Sequence, residues 1–213
     1  MAKVTGTTVM RHDQDMGTHR SALLRRIHRR RLGALSGLAA VLSVLLCGVP
    51  CLRAQQTKAN EFEVKAAYLY NFGRFVEWPD ESAVAKNESF EICVLGADPF
   101  GRTLDTTLAT GTIGGKSVAA KRISKPEEID SCRIVFISSS EESHLKTVLA
   151  ALDKASVLTV SDIPRFSERG GMIGFVLDGN RVRFDVNLAI AQGARLTMSS
   201  ELLKVATSVK KGS

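Results

Sequence analysis

A single three-layer, Rossmann-like α/β domain with a mostly parallel sheet is the fold the sequence predicts for the larger, C-terminal part of the chain. Three observations carry this reading. Short apolar strand-like runs alternate with helical stretches from Phe90 to Ser161. The turn signal Asp178-Gly179-Asn180 joins two further runs into an antiparallel hairpin. An amphipathic helix precedes them all. At 213 residues the chain has room for one such domain or slightly more.

The first residues stand apart. Arg20 to Arg31 is strongly basic (RSALLRRIHRRR), and Leu32 to Leu52 then runs without a charge. A basic stretch followed by an apolar one reads as a secretory signal peptide over residues 1–54, cleaved after Ala54. An uncleaved membrane anchor is the alternative, since the apolar run is long enough to span a bilayer. Lipidation at Cys47 or Cys51 is a third reading, although neither cysteine follows the small residues lipidation needs. Residues 1–54 hold nine Lys/Arg and two Asp/Glu, which leaves 20 of each sign in residues 55–213. The net charge of +7 therefore belongs to the leader, and it does not argue for a nucleic-acid partner. His144 is the one histidine beyond it.

The domain spans residues 55–213 and begins with a helix from Asn60 to Trp78. Phe62, Ala66, Leu69, Phe72, Phe75 and Val76 form its apolar face, Asn60 caps it and Pro79 ends it. The aromatics Tyr68, Tyr70, Phe72, Phe75 and Trp78 read as core packing more readily than as a ligand box. Phe90–Leu95 is the first main strand, followed by a helical segment over Phe100–Leu108, a strand Ser117–Ile123, a turn of helix from Pro126 and a strand Arg133–Ser138. Ser138-Ser-Ser-Glu-Glu142 offers a capping box to a helix reaching Leu152. Val157–Ser161 is a short strand, and Asp162 is expected to cap a short helix. Gly171–Leu177 and Arg181–Leu188 form the hairpin. A last helix follows Ser199, and the tail beyond it is polar.

Motifs for catalysis are scarce. The stretch Thr110-Gly-Thr-Ile-Gly-Gly-Lys-Ser117 ends like a phosphate-binding loop, but Thr110 stands where the first glycine belongs. It also follows a helix and precedes a strand, the reverse of the required order. Gly111, Gly114 and Gly115 read instead as turn glycines at positive φ, with Lys116 exposed. Leu95-Gly-Ala-Asp-Pro-Phe-Gly101 lacks the dinucleotide-binding glycine spacing. With one histidine and no G-x-S-x-G elbow, neither a hydrolase triad nor an ordinary metal site can be assembled. The reading assigns no catalytic residue, metal or cofactor. Cys93 and Cys132, the two cysteines beyond the leader, read as one disulfide of an exported protein, with two buried free thiols as the alternative. Arg165, Arg169, Arg181, Arg183 and Arg195 cluster in the last third, where they either receive an anionic ligand or acidic partner, or pair with neighbouring carboxylates.

Taken in order, Tyr70-Asn-Phe-Gly-Arg-Phe-Val-Glu-Trp-Pro79, Ile92-Cys-Val-Leu-Gly96, the run Arg169-Gly-Gly-Met-Ile-Gly-Phe-Val176 to Arg181-Val-Arg-Phe-Asp-Val-Asn-Leu188, and Ser199-Ser-Glu-Leu-Leu-Lys-Val-Ala206 resemble the YfiR family of bacterial periplasmic proteins. The resemblance covers about residues 60–207. It implies a non-enzymatic repressor, often dimeric, that binds the periplasmic sensor domain of an inner-membrane diguanylate cyclase and keeps cyclic-di-GMP and biofilm formation low. It further implies sequestration by an outer-membrane lipoprotein and inactivation when disulfides are reduced. Cys93 and Cys132 match one family disulfide, while the second cysteine pair of some members has no counterpart. The arginine of the family's ligand pocket is matched by Arg195, with Arg169 and Arg183 as further candidate contacts, and the position that can be histidine is Thr197. The alternative is a periplasmic ligand-binding component serving a transporter or sensor kinase.

Overall fold

The computed structural model describes residues 49–79, 88–153 and 155–212. Most of the expected signal peptide, residues 1–48, lies outside the described residues. The chain divides into two compact units, Met1–Gln55 and Gln56–Ser213. Among the described residues no helix is long and apolar enough to cross a membrane.

Helix α1 is Val49–Phe75. It does not start at Asn60, because the residues before Asn60 include no helix breaker between Gln55 and Ala59 and several good helix formers. It also ends three residues before Trp78. Val76–Glu77 leaves the helix as strand β1 and pairs antiparallel with β9, Thr197–Met198, while Ser199 N–H donates to the Phe75 carbonyl at 2.9 Å. A long-range pairing thus stops the helix before Pro79 can.

Strand β2 is Ser89–Leu95, followed by helix α2, Arg102–Leu108. The stretch that resembled a phosphate loop folds as a hairpin of β3, Thr112–Ile113, and β4, Lys116–Ile123. Gly114 and Gly115 form its two-residue turn at φ 57° and 78°, values that suit glycine. Gly111 is different from the expectation: its φ is not positive, and it is small because a Cβ there would stand 2.6 Å from the Tyr70 ring. A 3₁₀ turn, Pro126–Ser131, leads to β5, Cys132–Ile137. The next helix is split into a 3₁₀ turn, Ser139–His144, and α3, Leu145–Leu152, with Ser138 Oγ capping the Ser140 N–H. Strand β6 is Leu158–Ser161.

The expected helix from Asp162 does not form. Arg165 adopts φ 56°, which breaks the helical path, and Ser161 rather than Asp162 accepts from the Ile163 N–H. Residues 163–171 are instead a chain of tight turns ending in Gly171 N–H to Phe166 O at 2.9 Å. Strands β7, Ile173–Asp178, and β8, Arg181–Asn187, make the predicted hairpin. It does not close the sheet. Leu188–Gly193 turns into helix α4, capped by Asn187, then β9 and helix α5, Ser200–Val205, follow, and the polar tail supplies an edge strand β10, Ser208–Lys210, parallel to β8.

The eight-stranded sheet has the order β10-β8-β7-β6-β5-β2-β4-β3, and its interior strands from β7 to β4 are parallel. Helices pack on both faces. Ile92, Val94, Ile134, Phe136, Val160 and Phe184 point to one face, where Ala66, Leu69 and Phe72 of α1 and Leu104 of α2 cover them. Leu95, Val135 and Ile137 point to the other, under Leu145, Val148 and Leu152 of α3 and Phe166 of the turns. Tyr68 and Phe72 pack against Phe175 and Phe184 at centroid distances of 5.1 to 5.9 Å, edge-on to Phe184 and with Phe72 stacked on Phe175, so these aromatics are core, as the sequence suggests. Each fully buried phenylalanine contributes about 2–3 kcal/mol by transfer from water.

Candidate functional site

In an open sheet whose chain starts in the middle and winds outward both ways, ligands ordinarily sit beyond the C-terminal ends of the strands where the order reverses. Here that point lies beyond β2 and β5, and the chain fills it. Ser138 N–H donates to Leu95 O at 3.0 Å, and Ala97 N–H donates to Ser140 Oγ at 2.9 Å. Gly96 sits at φ 88°, and a Cβ on it would come within 2.5 Å of Ser140 Oγ. Beside it Arg122 binds Asp105 through two nitrogens at 2.7 Å each, Asp98 at 2.9 Å and the Gly101 carbonyl at 2.7 Å. Asp105 is held below its ordinary carboxylate range by the hydrogen bond from Arg122, and Arg122 is raised by the same bond. The crevice is a closed ionic clasp.

Cys93 and Cys132 are joined by a disulfide with a Cα–Cα distance of 5.8 Å. A bulge makes this possible. The register of β2 and β5 shifts between Glu91 and Ile92, so that Glu91 lies opposite Cys132 while Ile92 lies opposite Ile134. Strict alternation would put Cys132 on the face of Ile134 and Phe136; the extra residue, Arg133, lets it join Cys93 on the other. Both cysteines are 0% exposed. Among the described residues the one group with metal-ligand geometry is Glu91, Cys93 and Cys132, and the disulfide takes both of its sulfurs. His144 is 72% exposed, next to Glu141 and Ser143.

The three candidate arginines have different surroundings. Arg169 binds Glu142 at 2.9 Å, Arg183 approaches Asp178 at 3.9 Å, and Arg195 is exposed at φ 63° after α4.

A groove lies elsewhere, at the opposite ends of β2 and β5. Its volume is about 740 Å³, and its wall includes Arg74, Trp78, Phe90, Thr112, Lys116 and Arg133. Trp78 packs edge-on against Phe90 at 5.3 Å, the Arg133 guanidinium lies 5.8 Å from the indole ring, and the buried indole N–H has no hydrogen-bond partner among the described residues. Burial pushes the Arg133 pKa down. An aromatic wall, cationic groups and an unpaired donor suit a planar or anionic ligand. Sequence reading places Trp78 in the core and passes over Arg133, because only the bulge turns Arg133 toward this end. A second feature also escapes it. Lys65 on the apolar face of α1 is 2% exposed and binds Glu61 at 2.5 Å and Asp162 at 2.7 Å, with the Phe62 ring 4.5 Å away.

Fold and sites together define a mixed α/β domain with a mostly parallel eight-stranded sheet, a sealed switch-point crevice and a buried disulfide. The chain belongs to the YfiR/HmsC-like family, whose model matches residues 62–207. Among solved structures it is similar to the ABC domain in complex with L-Trp from Streptococcus pneumonia, at 16% identity and TM-score 0.43, over 56% of this chain and 55% of that one. It is also similar to a conserved domain protein from Vibrio cholerae O1 biovar El Tor, at 12% identity and TM-score 0.43, over 61% of this chain and 57% of that one. The chain thus spans little more than half the length of either.

Proposed function

We propose that this protein is a non-enzymatic periplasmic regulator that binds the sensor domain of an inner-membrane diguanylate cyclase and holds it inactive. Membership of the YfiR/HmsC-like family over residues 62–207 carries the reading. A buried disulfide suits an oxidising compartment, and a clasped crevice suits a protein that works through its surface. Binding is stoichiometric, by a homodimer with the Rossmann-like domain as its unit, and an outer-membrane lipoprotein competes for the repressor. Reduction of Cys93–Cys132 ends repression by loosening the β2–β5 junction. Deleting the gene and measuring cellular cyclic-di-GMP tests this: the level rises and falls again on complementation, whereas an unchanged level counts against it.

The groove at Trp78 favours a second reading, a periplasmic ligand-binding component of a transporter or sensor-kinase system. Trp78 is the one tryptophan, so intrinsic fluorescence reports the groove directly. A small carboxylate that shifts this emission saturably, in a deletion strain with unaltered cyclic-di-GMP, selects that reading.

A further inference from the structure

The grouping of Glu91, Cys93 and Cys132 takes on a second meaning once the disulfide is open. Glu91 and Cys93 are two residues apart on β2 and share a face, and Cys132 lies opposite Glu91 at the bulge. One carboxylate oxygen and the two sulfurs lie within 4.8 Å of one another. Zinc bonds thiolates at about 2.3 Å and carboxylates at about 2.1 Å in a tetrahedron, which sets its donors roughly 3.5–3.8 Å apart. With the two Cα atoms 5.8 Å apart, rotation of a cysteine about its Cα–Cβ bond brings freed sulfurs to that spacing. Glu91 is also held from behind. Ser131 Oγ donates to Glu91 Oε2, and Lys121 Nζ donates to Ser131 Oγ at 2.8 Å and stands 3.8 Å from the same carboxylate oxygen. Outer contacts of this kind orient a ligating side chain.

We propose that reduction of Cys93–Cys132 opens a zinc site whose protein ligands are the Glu91 carboxylate and the two sulfurs, with water in the fourth position. A dithiol reductant gives two electrons and two protons to the disulfide and itself becomes a disulfide; zinc then displaces the two thiol protons to solvent. Zinc with two thiolates and a carboxylate carries one negative charge, and Lys121 balances it. The sulfurs are fully buried, whereas Glu91 is half-buried and gives metal and water a way in. The ion re-ties the β2–β5 junction in place of the covalent bond. Such a site goes beyond the regulatory reading and stands without it.

The test uses the full chain carrying Cys47→Ser and Cys51→Ser, so that Cys93 and Cys132 supply the only thiols. It is reduced by a water-soluble phosphine in denaturant and refolded with or without zinc. Metal analysis after desalting is expected to find about one zinc per reduced chain and none on the oxidised chain. Zinc about a hundredfold above its Kd is expected to raise the melting temperature of the reduced protein by about 5–10 °C, whereas metal held by the unfolded chain lowers it. In competition with a chromophoric chelator, Glu91→Gln is expected to bind about tenfold more weakly or worse, with the exposed Glu127→Gln unchanged. Cobalt(II) in place of zinc is expected to give a thiolate charge-transfer band in the reduced chain. Equal loading of oxidised and reduced chains, an unchanged or lower melting temperature with zinc, absence of the cobalt band, or Glu91→Gln binding as tightly as wild type overturns the inference. So does a reduced chain that stays unfolded by circular dichroism at saturating zinc.

Discussion

Opening Cys93–Cys132 removes a covalent closure between residues 39 apart in the chain. In the chain-entropy treatment a loop of that size restricts the unfolded state by about 4 kcal/mol. For a domain of this size that corresponds to a fall in melting temperature of roughly 8–16 °C. The rate is as informative as the magnitude. Both sulfurs are fully buried beneath the layer that contains Leu145, Val148 and Ile129, so a thiolate reaches them only after that layer opens. Dithiothreitol in native buffer is therefore expected to reduce the bond far more slowly than in 6 M guanidinium chloride, at a rate set by opening. Thermal melts of the oxidised protein and of protein reduced in denaturant and refolded give the stability difference, and timed thiol trapping gives the rate. Equal melting temperatures, or native reduction as fast as denatured reduction, would refute the reasoning.

Further outcomes concern the sites around it. Lys65→Ala strips the cation from between two largely buried carboxylates and is expected to destabilise by about 3 kcal/mol in denaturant titrations, whereas Lys65→Met paired with Asp162→Asn loses much less. Gly171→Ala sets a Cβ about 2.1 Å from the Phe166 ring and is expected to cost about 2 kcal/mol by overpacking, recovered in part by Phe166→Leu. Asp105 titrates below its ordinary 3.8 because Arg122 binds the carboxylate, so its stabilising effect is full above about pH 4 and lost as pH falls through the lower folded value. Melting temperatures of wild type and Asp105→Asn should accordingly differ at pH 6 and converge in acid.

What the sequence made legible was local. Ile92–Leu95 and Ile134–Ile137 announce buried strands by unbroken apolar runs, and Ser138 and Ser199 announce helix starts by their hydroxyls. The Asp178-Gly-Asn180 and Gly114-Gly115 turns follow from glycine's freedom at positive φ. The misses share a cause in tertiary contact. β1 and β9 are two residues each and exist only as a pair, and β10 is a polar edge strand with no pattern of its own. Leu188–Gly193 carries on the apolar character of β8 yet coils into a helix once Asn187 caps it. Arg165, a residue with no turn preference, undid the helix expected after Asp162. The candidate sites follow the same division. The disulfide pair was legible by elimination, but the bulge that joins it, the turning of Arg133 toward Trp78 and the pairing of Arg169 with Glu142 were not.

Direct binding is the sharpest test of the regulatory account. The purified oxidised chain, titrated by calorimetry against the isolated periplasmic sensor domain of each diguanylate cyclase encoded in the same genome, is predicted to bind one of them saturably at a fixed stoichiometry. Heats no greater than dilution for every such domain would contradict it.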